Sequence, residues 1–396
     1  MNKIRNKKPG MEYRRFGKTE KYLSAVTLGG MRYKHGGREP KNEIPADTLK
    51  QATEVVELAM SHGINHIESA WGYGKSENIY GKVLNEELKI PRHNYHLMTK
   101  GNPKTAADMR KMVEAQLKAL QTDYLDFYGW HGINNEELLQ KSCASKGPVE
   151  ELHKMKEEGI IRHVGFSTHA PLHVITGAIG TGLFEFVNLH YYYFDQHNLE
   201  AVEKAAANDM GTFIISPNDK GGQLFNAPQK VKNATLPLTP IQWNARFCLH
   251  NRAIHTLSFG MTEAAHFEEM KGIFASSKLW SNTEQKIKDK LDSFLNKDPY
   301  SFFEGFDLSN DPSGINIPAV LRLRKLWKCY DMKDYGKYRY KIFENKGHWF
   351  PGLKASKSNV EKVDCSKVPG EIPLKKMLLE THEELYTPEF RLAKKE

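Results

Sequence analysis

Eight short runs rich in β-branched and aromatic residues, separated by stretches with helical apolar spacing, limit most sharply what this chain can fold into. In order they read AVTLGG, INHIESA, YHLMTK, LDFYGWH, RHVGFS, FVNLHYYY, GTFIIS and IHTLSFG. Strands that alternate with helices this regularly form a parallel sheet covered by those helices. Between the first two runs, Leu49, Ala52, Val55, Val56 and Ala59 recur at three- and four-residue intervals over residues 48–61, with Asp47 placed to cap the start. Residues 106–120 repeat the pattern, and another helix begins near Val149. Gly63, Gly159 and Gly211 each stand between a helix and a strand, where a left-handed cap favours a residue without Cβ. Eight such units close most simply into an α/β fold of the (β/α)8 TIM-barrel type. A doubly wound sheet would also alternate, but no G-x-G-x-x-G comes after the first strand.

Before the first barrel strand, MEYRRFGKTEKYLS reads as a hairpin turning at Gly17 and Lys18, placed to close the lower end of the barrel. After the eighth unit, charged segments and loops run from Trp280 to Gly314, and a helical region starts at Pro318. The expected division is a barrel with its hairpin over residues 1–314 and a C-terminal helical extension over 315–396. Hydrophobic residues make up 39% of the 396, enough for a large core, and no run of about 18 apolar residues suggests a membrane span. The basic opening MNKIRNKKPG leads into no apolar segment, so a cytoplasmic protein is expected. Cys143, Cys248, Cys329 and Cys365 are too widely spaced for a metal or redox pair. The net charge of +9 is spread along the chain except between Arg322 and Lys341, which reads as a solvated helix face. No nucleic-acid-binding module is visible, and His62, His66, His93, His96, His190 and His197 lack metal-ligand spacing.

In a barrel the chemistry sits at the carboxyl ends of the strands. Strand two ends at Glu68 with Tyr73 in the loop beyond it, strand three at Lys100, and strand four at His131. Neighbouring strands lie about 4.8 Å apart, so these groups face one mouth. The cluster suits proton donation by a phenol. Free tyrosine, with a pKa near 10, is a weak acid at neutral pH, and a lysine cation beside it favours the phenolate. Lys100 is the candidate cation, Glu68 keeps it charged, and His131 is placed to hydrogen-bond a carbonyl oxygen. SAWGYGKS, from Ser69, is also close to a phosphate-binding loop, but it lacks the first glycine and carries Trp71 and Tyr73 where a phosphate nest needs space.

The stretches GINHIESAWGYGKSENIYGKVL, HLMTK, YLDFYGWHGIN, HVGFSTH and FIISPNDKGGQL resemble the aldo-keto reductase family. The resemblance implies carbonyl reduction on a (β/α)8 barrel by an Asp, Tyr, Lys, His tetrad with NADP or NAD bound extended. Tyr73, Lys100 and His131 match that tetrad, and Glu68 stands where the family usually has aspartate. By the same resemblance Ser167, Thr168 and Asn188 would hold the nicotinamide carboxamide. Ile215 replaces the tyrosine that stacks on the ring. Ser216, Asn218, Lys220, Gly222 and Leu224 would wrap the pyrophosphate, while Ser258, Gly260, Met261 and Thr262 would meet the adenosine. Glu263 and Met270 stand in that segment without the customary 2'-phosphate ligands, so the choice between NADP and NAD stays open.

The C-terminal stretch resembles the tail of a subgroup carrying a ferredoxin-like iron–sulfur segment. Such a cluster needs four thiolates, and only Cys365 remains near the place, so no cluster and no metal are expected. That extension either packs on the barrel or covers its mouth, and it is where a partner protein would dock. Two functional classes remain. One is a reductase acting on a small-molecule carbonyl substrate, with the proton from Tyr73. The other is a non-catalytic barrel that binds a nucleotide or a partner. The intact Tyr, Lys and His favour the first.

Overall fold

The computed structural model describes residues 3–34, 41–219, 222–276, 278–341 and 353–387. Two short strands, β1 (Tyr13–Arg15) and β2 (Tyr22–Ser24), pair antiparallel as the expected hairpin. Eight further strands come next: β3 (Val26–Gly29), β4 (His66–Glu68), β5 (His96–Gly101), β6 (Leu125–His131), β7 (Ile161–Ser167), β8 (Phe186–Leu189), β9 (Gly211–Ile214) and β10 (Thr256–Phe259). All pair in parallel, each with its sequence neighbour, and β10 closes on β3. Each of the eight runs therefore contributes one barrel strand. FVNLHYYY is strand only to Leu189, after which Tyr191, Tyr192 and Tyr193 turn into the buried core.

Register places the polar strand ends side by side. Glu68 lies opposite Gly29 and Met98, Lys100 opposite Gly129, His131 opposite Ser167, and Ser167 opposite Asn188. At the other end the hairpin inserts Phe16, fully buried, edge-on to Phe127 with ring centroids 5.4 Å apart. Gly17 makes this plug possible, because a Cβ there would sit 2.4 Å from the Asp209 carbonyl oxygen. Gly63 and Gly159 adopt the expected left-handed conformation. Gly211 does not. The left-handed residue of that turn is Asp209, and Gly211 is needed instead because a Cβ would strike the Phe16 ring.

Other local expectations change for physical reasons. The first helix runs Ala46–Ser61 from a Pro45 cap, so Asp47 sits inside the first turn, its carboxylate accepting from the Thr48 amide. The span from Trp280 to Gly314 contains the helix Asn282–Ser293, closed by a Ser281–Glu284 capping box and anchored by Ile287 and Leu291. Its high charge hides that narrow apolar stripe. The helices Ile317–Tyr330, Lys333–Lys341 and Leu374–Leu385 share one apolar core with the barrel's helical layer. The basic cluster they carry is no solvated face. Arg324 is buried between Asp298 and Glu380, Lys328 pairs with Glu380 at 2.5 Å, and Arg322 and Arg339 are also largely buried. No helix among the described residues is long and apolar enough to cross a membrane.

Candidate active site

Glu68 ends β4, and the chain turns at once, with the Ser69 amide bonded to the Met98 carbonyl and the Trp71 amide to that of Lys100. This turn carries Tyr73, half-buried, back over the mouth. Lys100 is 1% exposed, its Nζ in contact with Glu68 Oε1 and donating to the Ser69 carbonyl at 2.8 Å. Gly129 opposite leaves room, since a Cβ there would come within 3.1 Å of the lysine chain. The Tyr73 hydroxyl donates to Glu68 Oε1 at 3.4 Å, and Lys100 Nζ stands 4.9 Å from the centroid of the Tyr73 ring. The His131 ring meets that of Tyr73 edge to face at 5.9 Å. All four predicted side chains are thus in one cluster. Glu68 also accepts from Ser258 Oγ at 3.3 Å, so it touches strands two, three and eight together.

The electrostatics differ from the sequence expectation in one respect. Burial pushes the Tyr73 phenol up to about 12, and the cation that works against this is Arg32. Lys100 is itself pushed well down by burial, while the carboxylate in contact with it opposes that loss. Burial therefore outweighs whatever the Lys100–Glu68 pair contributes at the phenol.

An open cleft of about 650 Å³ adjoins the cluster, walled by Arg32, Glu68, Tyr73, Ile215, Asn218 and Phe225 among others. Ser216, Asp219, Gly222, Ser258 and Gly260 also reach it. Leu224 and Met261 are buried behind it, and the Thr262 carbonyl accepts from Gln51. Lys220 lies outside the described residues. Ser167 and Asn188 stand side by side at the ends of β7 and β8. The Thr168 hydroxyl is engaged locally, donating to the Ile133 carbonyl and accepting from the Ala170 amide. Asn188 is fully buried, yet neither its side-chain oxygen nor its nitrogen has a protein partner. A buried amide left in that state is costly unless something else meets it. It matches the donor and acceptor of a carboxamide, so the residues present fit a nicotinamide.

Sequence reasoning missed Arg32, Asp219, Phe225 and His266. Arg32 lies in the turn Gly30–Arg32 just beyond β3, and the rule that picks out Glu68, Lys100 and His131 at their strand ends reaches it once the first strand is included. Phe225 is 43% exposed and packs on His266 at 5.2 Å, above an apolar hollow of about 330 Å³ that also meets Ile241, Phe259 and Met270. Neither carries a signal in a linear reading.

The sequence profile of the Aldo/keto reductase family matches residues 25–264. An uncharacterized oxidoreductase of Bacillus subtilis is 23% identical over 327 residues, 73% of this chain and 98% of that protein. L-galactose dehydrogenase of Arabidopsis thaliana is 26% identical over 289 residues, 65% of this chain and 86% of that protein. Among solved structures, an aldo-keto reductase from Klebsiella pneumoniae in complex with NADPH has a TM-score of 0.57 at 19% identity, covering 71% of this chain and 95% of that one. The holo form of a Bacillus halodurans aldo-keto reductase likewise gives 0.57 at 20% identity, with 71% and 96% covered. The profile spans the whole barrel, from the first strand to the helix after the last, and the chain belongs to the aldo/keto reductase family of oxidoreductases.

Proposed function

We propose that this protein reduces an aldehyde or ketone to an alcohol, with hydride from NADPH or NADH and the proton from Tyr73. The observation that carries the reading is the cluster of the buried Lys100–Glu68 pair with the Tyr73 phenol and the His131 ring, beside an open cleft that Glu68 and Tyr73 line. Clusters of perturbed ionisable groups at such a mouth are usually functional. A bound reduced nicotinamide supplies the hydride. Asn188 and Ser167 would hold its carboxamide, residues from Ser216 to Leu224 its pyrophosphate, and Ser258, Gly260, Met261 and Thr262 its adenosine.

With its pKa near 12, Tyr73 holds its proton at neutral pH and has it ready for donation. It still gives that proton downhill to an alkoxide, which is about as basic as hydroxide. At 3.4 Å its bond to Glu68 is long, so the hydroxyl can turn to a carbonyl oxygen at small cost. His131 donates to the same oxygen and fixes its place. As the phenolate forms, the Lys100 ammonium stabilises it, and Glu68 keeps that ammonium charged against its burial.

Titration with NADPH and with NADH, followed by nicotinamide fluorescence, tests the cofactor half of the proposal. Binding of either form is expected. Tyr73→Phe should then slow reduction of para-nitrobenzaldehyde about 1,000-fold, within the usual range for general acids, and leave cofactor affinity within about twofold. Binding of neither cofactor would turn the reading to a non-catalytic scaffold, and full activity in the variant would put the proton source elsewhere.

A further inference from the structure

We propose that the C-terminal helices position the cofactor-binding wall of the cleft, with Arg322 and Tyr335 as positioning residues acting through Asp219. The inference rests on the reductase reading and goes beyond it, because it assigns a role to a part of the chain outside the barrel.

Asp219 is where the two parts meet. It lies on the cleft wall next to Asn218, and its carboxylate points away from solvent at 1% exposure. Both Ser216 and Asp219 hold left-handed backbone, at φ of 53° and 55°, a conformation that costs a residue with a Cβ more than it costs glycine. The Asp219 carboxylate is held largely from outside the barrel. Arg322 Nη2, from the helix Ile317–Tyr330, donates to Asp219 Oδ2 at 2.6 Å. The Tyr335 hydroxyl, from Lys333–Lys341, donates to Oδ1, as does Tyr192 at 3.1 Å.

Arg322 is anchored on its other edge, where Nε donates to the Phe194 carbonyl at 2.7 Å and faces Asp195 Oδ2 at 3.3 Å. One guanidinium therefore ties the cleft loop to the loop after β8. Its planar fork is suited to this, since each edge can hold a separate acceptor in a fixed direction. The helix that carries it is held in turn. Two residues on, Arg324 pairs with Asp298 at 2.9 Å and Glu380 at 2.5 Å.

Apparent affinity falls in proportion to the fraction of molecules whose loop is in the binding shape. Removing the Tyr335 hydroxyl takes one of these three donors from a buried carboxylate without leaving a charge unpaired. Tyr340, on the same helix, is fully buried, with its hydroxyl 3.3 Å from His382, and it does not line the cleft. The matched change there serves as the control.

The test compares NADPH and NADH affinity of the full-length wild type, Tyr335→Phe and Tyr340→Phe, by nicotinamide fluorescence well below each protein's melting temperature. The expected result is cofactor binding about tenfold weaker in Tyr335→Phe, a tenth of its loops being competent, with Tyr340→Phe unchanged even if its melting temperature falls as far. Equal affinity in wild type and Tyr335→Phe would overturn the proposal, as would equal weakening in both variants, which is general loosening. If the wild type itself binds neither cofactor, the reductase reading fails first and this proposal with it.

Discussion

Two buried ion-pair clusters face the mouth of this barrel, and they are built from different cations. On the side of strands two to four, one lysine meets one glutamate, and burial works against its charge. On the side of strands six and seven, one arginine is held between Asp195 and Asp219, and those carboxylates drive its proton affinity up despite burial. Lysine gives up its proton when desolvated, whereas arginine keeps its charge in any protein environment. The first cluster is suited to proton chemistry and the second to holding a shape. Nearness to the mouth therefore does not by itself mark a group as reactive.

The largest expected effect separates the two by activity. Lys100→Met removes the cation that stabilises a phenolate, and reduction of para-nitrobenzaldehyde should fall about 1,000-fold at saturating cofactor. Glu68, left buried, would take up a proton, so the melting temperature should fall less than in the Arg322 variant. A large loss of stability with activity retained would reverse the assignment. Next comes Arg322→Met, which takes the arginine away from two buried carboxylates. Breaking a buried pair this way typically costs about 3–5 kcal/mol, read as a lower denaturant midpoint, while turnover at saturating cofactor should stay within about threefold. A collapse of turnover at saturation would place Arg322 in the chemistry.

The sequence made the side of Glu68, Lys100 and His131 legible because it lies on strand ends, where order along the chain becomes order around the barrel. Glu68 and His131 end their strands and Lys100 stands one residue before the end of the strand between them, so spacing alone brought them together. The opposite side was hidden by distance. Asp219 and Arg322 are 103 positions apart and meet through helix packing that no period encodes. The basic stretch from Arg322 to Lys341 read as a solvated face because its acidic partners, Asp195, Asp298 and Glu380, lie elsewhere in the chain. Burial also decided the phenol. Sequence placed a cation near Tyr73, but the protein packed around the hydroxyl carries the greater weight.

The smallest effect, and the sharpest test of that last point, is the titration of Tyr73 itself. A difference titration of phenolate absorbance between wild type and Tyr73→Phe, both without cofactor, isolates this one hydroxyl. The midpoint should lie near 12, against 10.0 for a free side chain. The sign comes from linkage: the folded protein holds a proton that the unfolded chain releases first, so this group's stabilisation is complete below about pH 10 and is lost as pH rises through 12. Over that window the wild type should lose stability relative to Tyr73→Phe, and below it the difference should be flat. A midpoint below 10 would mean that the Lys100 charge reaches the phenol despite Glu68, in which case the pair acts as a cation and Glu68→Gln should lower the midpoint further. A midpoint near 12 that Lys100→Met leaves in place would show that Lys100 does not stabilise the phenolate, and would remove it from the proton donor's machinery.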